Sequence, residues 1–191
     1  MPGPTRSTEL LEPLREVFEQ RGYDGATIAQ LAQATGLSKA SLYHHFPGGK
    51  ADMANRLLRE AVAEAQQTAF DKLHATDEPA VNLRAFLDGF VRYTDRGGRP
   101  CLVHTFAQTP ASGPADAART AFGGWLQSLV SAYDALLERQ RPKRAVRLAE
   151  QTLSELYGAL TTGLVLDEPK LVRRTAKRWA KTVRVLQTQD D

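Results

Sequence analysis

Apolar residues recur along this chain at spacings of three and four, the period that lays them on one face of a helix. Leu10, Leu11, Leu14, Val17 and Phe18 form a first stripe, which predicts a helix over 8–22 stopped by Gly22. Pro13 either falls in the first turn of the regular helix or bends it, because it lacks an N–H and crowds the turn before it. Thr27 followed by Gln30 has the form of a capping box, so a second helix is expected from there to about Ala34. Gly36 stands where a left-handed residue ends a helix, and Ser38 is placed to cap a third helix through about His45. Two short helices joined by a tight Gly-containing turn make a helix-turn-helix. Pro47-Gly48-Gly49 then breaks the chain ahead of a long helix from Gly49 to about Leu73. Five more helices are predicted over 79–96, 100–108, 114–140, 143–166 and 169–187. Pro79, Pro100, Pro114 and Pro169 sit where a first turn tolerates them. Sustained period-2 alternation is missing, so the chain reads as all-α.

Composition adds the setting. Hydrophobic residues make up 42% and charged residues 25% of the 191 positions, as in soluble globular proteins. No apolar run approaches the roughly 18 residues of a membrane span, and "MPGPTRSTELLEP" lacks the apolar centre of a secretory signal. One cysteine, Cys101, suits a reducing compartment. The expectation is a cytoplasmic protein with no membrane partner.

Charge placement raises a question that the net value of +3 hides. Residues 1–50 hold five Lys/Arg and five Asp/Glu, whereas twelve Lys/Arg crowd between 139 and 184. The basic run Lys143, Arg144, Arg147, Arg173, Arg174, Lys177, Arg178 and Lys181 reads as a solvated helix face. An auxiliary DNA or acidic-partner surface is the rarer alternative.

The chemistry concentrates in "SLYHHFPGGK" at 41–50. Leu42 and Phe46, four apart, face inward on the third helix, leaving Lys39, Ser41, Tyr43, His44 and His45 to cover the other sides. Donors and aromatics on one exposed helix suit a major groove and its phosphate walls. Thr27, at the start of the preceding helix, and Lys50, at the start of the next, can each hold a phosphate. Metal binding is a poor fit: adjacent histidines point about 100° apart, and helical ligand pairs need a spacing of three or four. Cys101 and His104 have that spacing, but with no further Cys nearby they read as core packing. No nucleophile–base pair, phosphate loop or carboxylate pair with an assignable role is visible. The expectation is therefore no enzyme, with no catalytic residue, no metal and no cofactor.

The segment "GYDGATIAQLAQATGLSKASLYHHFPGGKADM" resembles the N-terminal DNA-binding domain of TetR-family regulators. The features that match are the Gly-Tyr end of the first helix, Thr27-Ile28-Ala29, Gly36-Leu37-Ser38, Leu42-Tyr43 and Phe46-Pro47. Its Pro-Gly-Gly-Lys, one residue longer than the commoner Pro-x-Lys, resembles the LmrA/YxaF-like branch. The resemblance implies that Lys39, Ala40 and His44 meet bases or the groove floor, and that Thr27, Ser41, Tyr43, His45 and Lys50 meet the phosphate backbone. Ala29 falls where some relatives carry a long base-reading side chain, so its short one withholds that contact. The resemblance also implies a DNA-binding domain over 1–50, with a linking helix from about 49, and a ligand-binding and dimerisation domain over 51–191. Its partners would be a quasi-palindromic double-stranded operator, a second copy joined through the last two helices, and a small-molecule effector. Phe90, His104, Trp125 and Tyr157 are the candidate effector-lining residues. The function implied is a repressor released from its operator by that ligand. An activator or corepressor-dependent regulator, or a helical small-molecule-binding protein with a vestigial helix-turn-helix, remains as the alternative.

Overall fold

The computed structural model describes residues 9–110 and 113–188. The predicted helix start at Thr8 and residues 111–112 lie outside the described residues. Nine α-helices and two 3₁₀ turns account for the regular structure described, and no strand occurs among these residues. The all-α expectation holds. None of the described helices is long and apolar enough to cross a membrane.

The helices are α1 (Leu11–Gly25), α2 (Ile28–Thr35), α3 (Lys39–His45), α4 (Gly49–Thr68), α5 (Pro79–Tyr93), α6 (Leu102–Ala107), α7 (Ala115–Leu136), α8 (Pro142–Val165) and α9 (Lys170–Thr188). Pro13 is the third residue of α1, inside the first turn, where backbone N–H groups have no intrahelical partner to lose. Gly22 breaks α1 with a φ of +66°, a conformation that glycine alone adopts without penalty, and one more turn follows to Gly25.

Three elements end earlier than their periodicity predicts. The long helix α4 stops at Thr68, and a 3₁₀ turn over Phe70–His74 replaces its last turn. The physical reason lies in α5: Gly89 brings its backbone against the Thr68 carbonyl and the Ala69 Cα, so closely that a Cβ there would sit 2.3 Å from that oxygen. Helix α5 in turn stops at Tyr93, because Asp95, Arg96 and Gly97 all take positive φ. Similarly α7 ends at Leu136, ahead of left-handed Glu138 and Arg139.

The described residues fall into two compact units, one within 1–62 and 101–122, the other within 63–100 and 123–191. In the first, α6 packs on α1, and Phe18, Tyr23 and Phe106 form an aromatic cluster. The Phe18 and Phe106 rings meet edge to face at 5.6 Å, and the Tyr23 ring stacks along Phe18 at 6.3 Å. In the second unit, α9 packs on α5 and α8. Phe70 stacks on Trp125 at 4.5 Å, and Phe90 meets Tyr157 edge-on at 5.2 Å. The fully buried Tyr133 lies 2.7 Å from the Thr152 hydroxyl. That hydroxyl donates to the Leu148 carbonyl, so the phenol is the donor in the pair. Burial pushes the Tyr133 phenol well above its ordinary range, which keeps it protonated and able to donate.

Candidate nucleic-acid interface

Local rules build this site step by step. Thr27 and Gln30 form the capping box in full: the Gln30 amide donates to the Thr27 hydroxyl at 3.3 Å, and the Gln30 side chain accepts from the Thr27 amide at 3.0 Å. Gly36 ends α2 at φ +67°, and the Leu37 amide reaches back to the Ala32 carbonyl at 3.1 Å, closing the turn. Ser38 caps α3 by accepting from the Ser41 amide at 3.1 Å, and the two serine hydroxyls lie 2.9 Å apart.

The orientation of α3 follows from burial. Leu42 and Phe46 are completely buried, while Lys39, Ala40, Ser41, Tyr43 and His44 are exposed and His45 is half-buried. Leu10, Leu37, Ala40, Ser41, His44 and His45 line a shallow depression of about 520 Å³ beside this helix. The His44 and His45 rings diverge, with centroids 5.9 Å apart and planes at 74°. Among the described residues no three of His, Cys, Asp and Glu gather as metal ligands would.

Lys50 is the residue whose placement differs most from a free phosphate contact. Its ammonium donates to the Tyr23 carbonyl at 2.9 Å and the Ala26 carbonyl at 3.1 Å, and it lies 4.5 Å from the centre of the Tyr23 ring. It therefore ties the start of α4 to the end of α1. Tyr43 packs its ring edge toward Gly49, which occupies φ +62°. Sequence reasoning also missed a second clamp. Arg56 pairs with Asp52 through two hydrogen bonds of 2.9 and 3.1 Å, and its guanidinium lies over the Phe46 ring at 4.9 Å. The Asp52–Arg56 half of that arrangement was readable as an i,i+4 ion pair; the stacking on Phe46 was not.

The four residues expected to line an effector site divide between the two units. Phe90, Trp125 and Tyr157 are buried in the second, within its aromatic core. His104 is in the first, on α6, with its ring 5.8 Å from Phe122 and its Nε2 3.2 Å from the Gln108 amide nitrogen. Cys101 caps α6, its sulfur accepting from the His104 amide at 3.4 Å. Burial lowers the His104 pKa from its ordinary 6.5. The folded protein therefore favours neutral His104. That contribution is complete above pH 6.5 and is lost as pH falls through the depressed folded value. The melting temperature is expected to fall on acidification over that window, and His104→Gln should flatten this part of the profile. Thermal melts of both proteins between pH 5 and 7.5 test it, and parallel curves would contradict the assignment.

Residues 10–57 match the family described as bacterial regulatory proteins, tetR family. The chain is similar to the transcriptional regulator LmrA of Bacillus subtilis, at 34% identity over 79 residues, which are 41% of this chain and 42% of that protein. It is similar to the transcriptional repressor AcnR of Corynebacterium glutamicum, at 44% identity over 61 residues, which are 31% of this chain and 32% of that one. The chain thus spans about two fifths or less of the length of these curated relatives. Its fold resembles that of a TetR transcriptional regulator from Chloroflexus aurantiacus, with a TM-score of 0.75, 21% identity and 93% of each chain covered. It also resembles AibR in a complex with isovaleryl coenzyme A and operator DNA, with a TM-score of 0.66, 17% identity and 80% and 86% of the two chains covered.

Proposed function

We propose that this chain, whose residues 10–57 match the tetR family of bacterial regulatory proteins, is a DNA-binding transcriptional regulator of that family, a repressor that leaves its operator when a small molecule binds. The observation that carries the reading is α3. Leu42 and Phe46 anchor it inward and leave an outward face of Lys39, Ala40, Ser41, Tyr43 and His44, the donor-rich kind of surface that enters a major groove. Thr27 and His45 flank that face as candidate phosphate contacts. Residues 1–50 would read the DNA, and residues 51–191 would bind the effector and a second copy.

Val146, Leu164 and Val165 on α8 and Leu166 after it are exposed apolar side chains, which supports a homodimer formed through the last two helices. A twofold dimer would present two α3 helices to a quasi-palindromic operator about one DNA turn apart. AibR, a protein of like fold, has been crystallised with an acyl coenzyme A and operator DNA, which supports an effector here. Phe90, Trp125 and Tyr157 are our candidates to meet it in the second unit; His104, the fourth candidate, belongs to the first unit. Because the three aromatics are buried, an effector would have to separate their ring contacts in order to enter. Linkage then requires DNA and effector to weaken each other by the same factor.

A fluorescence-anisotropy titration against the promoter region beside the protein's own gene tests this reading. Operator binding should weaken steeply with salt. His44→Ala and Tyr43→Phe should each lower operator affinity about tenfold, the scale of one hydrogen bond to a charged group. Tyr43→Phe keeps the ring against Gly49, so a loss there reports on the hydroxyl and not on folding. Binding that ignores salt, or that both variants leave unchanged, would overturn the reading.

A further inference from the structure

Helix α9 carries Lys170, Arg173, Arg174, Lys177, Arg178, Lys181 and Arg184, and no Asp or Glu. All seven are exposed. The rest of the chain holds 18 Lys/Arg against 22 Asp/Glu, so this one helix makes the protein net basic. At 100° per residue the seven fall on a single arc of about 140°, directly opposite buried Val172, Thr175, Ala176, Trp179, Val183 and Leu186. Of the seven, Arg178 alone has an ion pair among the described residues, with Glu155 of α8.

This arrangement opposes what stabilises a helix. Positions 170, 173/174, 177, 181 and 184 are neighbours at three and four residues, where like charges repel. Three of the cations occupy the first turn or so, at the end where the helix dipole favours anions. Solvated helix faces ordinarily intersperse both signs. A surface that breaks local rules without local compensation is where function is expected.

We propose that the α9 stripe is a second nucleic-acid surface, which holds the phosphate backbone of duplex DNA without reading its sequence; the proposal rests on the DNA-binding reading above. The helix is about 28 Å long, and duplex DNA offers a linear array of about one negative charge per 1.7 Å of axis. A straight row of cations with no hydrophobic anchor complements that array. Protein interfaces are built around an apolar core depleted of charge, and here Val185 is the one large apolar side chain exposed on α9. An anionic bilayer would need an apolar face to insert, and the apolar face of this helix is buried in the protein's own core. A second copy stacked on the stripe would bring two such rows within a Debye length of about 8 Å, so any dimer seam must run beside it. The surface also explains how a DNA-binding chain can carry no excess of Lys/Arg in residues 1–50.

The test compares the full-length protein with the combined variant Arg173→Gln, Arg174→Gln, Lys177→Gln and Lys181→Gln, which spares the Arg178–Glu155 pair. Both are titrated with operator duplex and with a shuffled duplex of equal length at several salt concentrations, and both are melted. The variant should melt no lower than the wild type, since it loses like-charge repulsion. Its affinity for the shuffled duplex should fall about tenfold or more, and its log-affinity against log-salt slope should flatten by about three to four. Equal affinity and slope for the shuffled duplex in the two proteins would overturn the proposal. So would wild-type binding to phosphatidylserine vesicles, lost in the variant, at salt where the shuffled duplex stays unbound. A wild type that prefers no operator would fail the regulator reading instead, and the shuffled-duplex slopes would still decide the stripe.

Discussion

Replacing Lys50 by methionine is expected to lower the melting temperature and the operator affinity while leaving the salt dependence of binding unchanged. The resemblance places Lys50 among the phosphate contacts, and a lysine lost from a phosphate should flatten the log-affinity against log-salt slope by about 0.9. In the fold, however, two of its three N–H donors are spent on the Tyr23 and Ala26 carbonyls, at 2.9 and 3.1 Å, and its charge rests on the Tyr23 ring. Methionine keeps the stem but strands both carbonyls where α1 ends. Hydrogen bonds from a charged donor contribute about 1.5–3 kcal/mol each and are not additive, so a loss of about 2–3 kcal/mol is expected for the pair. At about 2–4 °C per kcal/mol for a chain of this size, the melt should drop by roughly 5–10 °C. Operator affinity should then fall because the end of α1 no longer fixes the entry into α2. A flattened slope with an unchanged melt would instead return Lys50 to the phosphate backbone.

Lys50 also marks the boundary of what this sequence discloses. The capping box at Thr27 and Gln30, the left-handed Gly36, the Ser38 cap and the inward Leu42–Phe46 pair were all legible, since each depends on residues within four positions of one another. The Tyr23 carbonyl is 27 residues from Lys50, and nothing local points to it. Residues 101–122 join the compact unit of residues 1–62, and helical periodicity cannot announce that, because a stripe tells which face is buried but not against what. The same limit separates His104 from Phe90, Trp125 and Tyr157. All four lie at helical spacing in the C-terminal part of the chain, yet they belong to different units. The hydrogen bond that joins Tyr133 and Thr152 likewise depends on how α7 meets α8, which no local pattern announces.

Gly89→Ala should destabilise the protein by about 2 kcal/mol or more, although helix propensity alone gives the opposite sign. Gly89 lies in the interior of α5, where exchanging glycine for alanine ordinarily stabilises by about 0.5–1 kcal/mol. Here an added Cβ would stand 2.3 Å from the Thr68 carbonyl oxygen and 2.8 Å from the Ala69 Cα. Both are backbone atoms, so no rotamer change relieves the clash, and α5 must move away from the end of α4. Forced overpacking typically costs about 1–3 kcal/mol and sometimes more, which outweighs the propensity gain. The melt should fall by roughly 4–8 °C at about 2–4 °C per kcal/mol. Gly124→Ala is the matching control. It is exposed in the interior of α7 with nothing within 4 Å of an added Cβ, so propensity acts unopposed and the melt should rise by about 1–4 °C. Opposite signs for two identical substitutions isolate the close approach as the cause. If Gly89→Ala raised the melt as Gly124→Ala does, the contact between α5 and the end of α4 would be looser than described, and α4 would lose the reason given for stopping at Thr68.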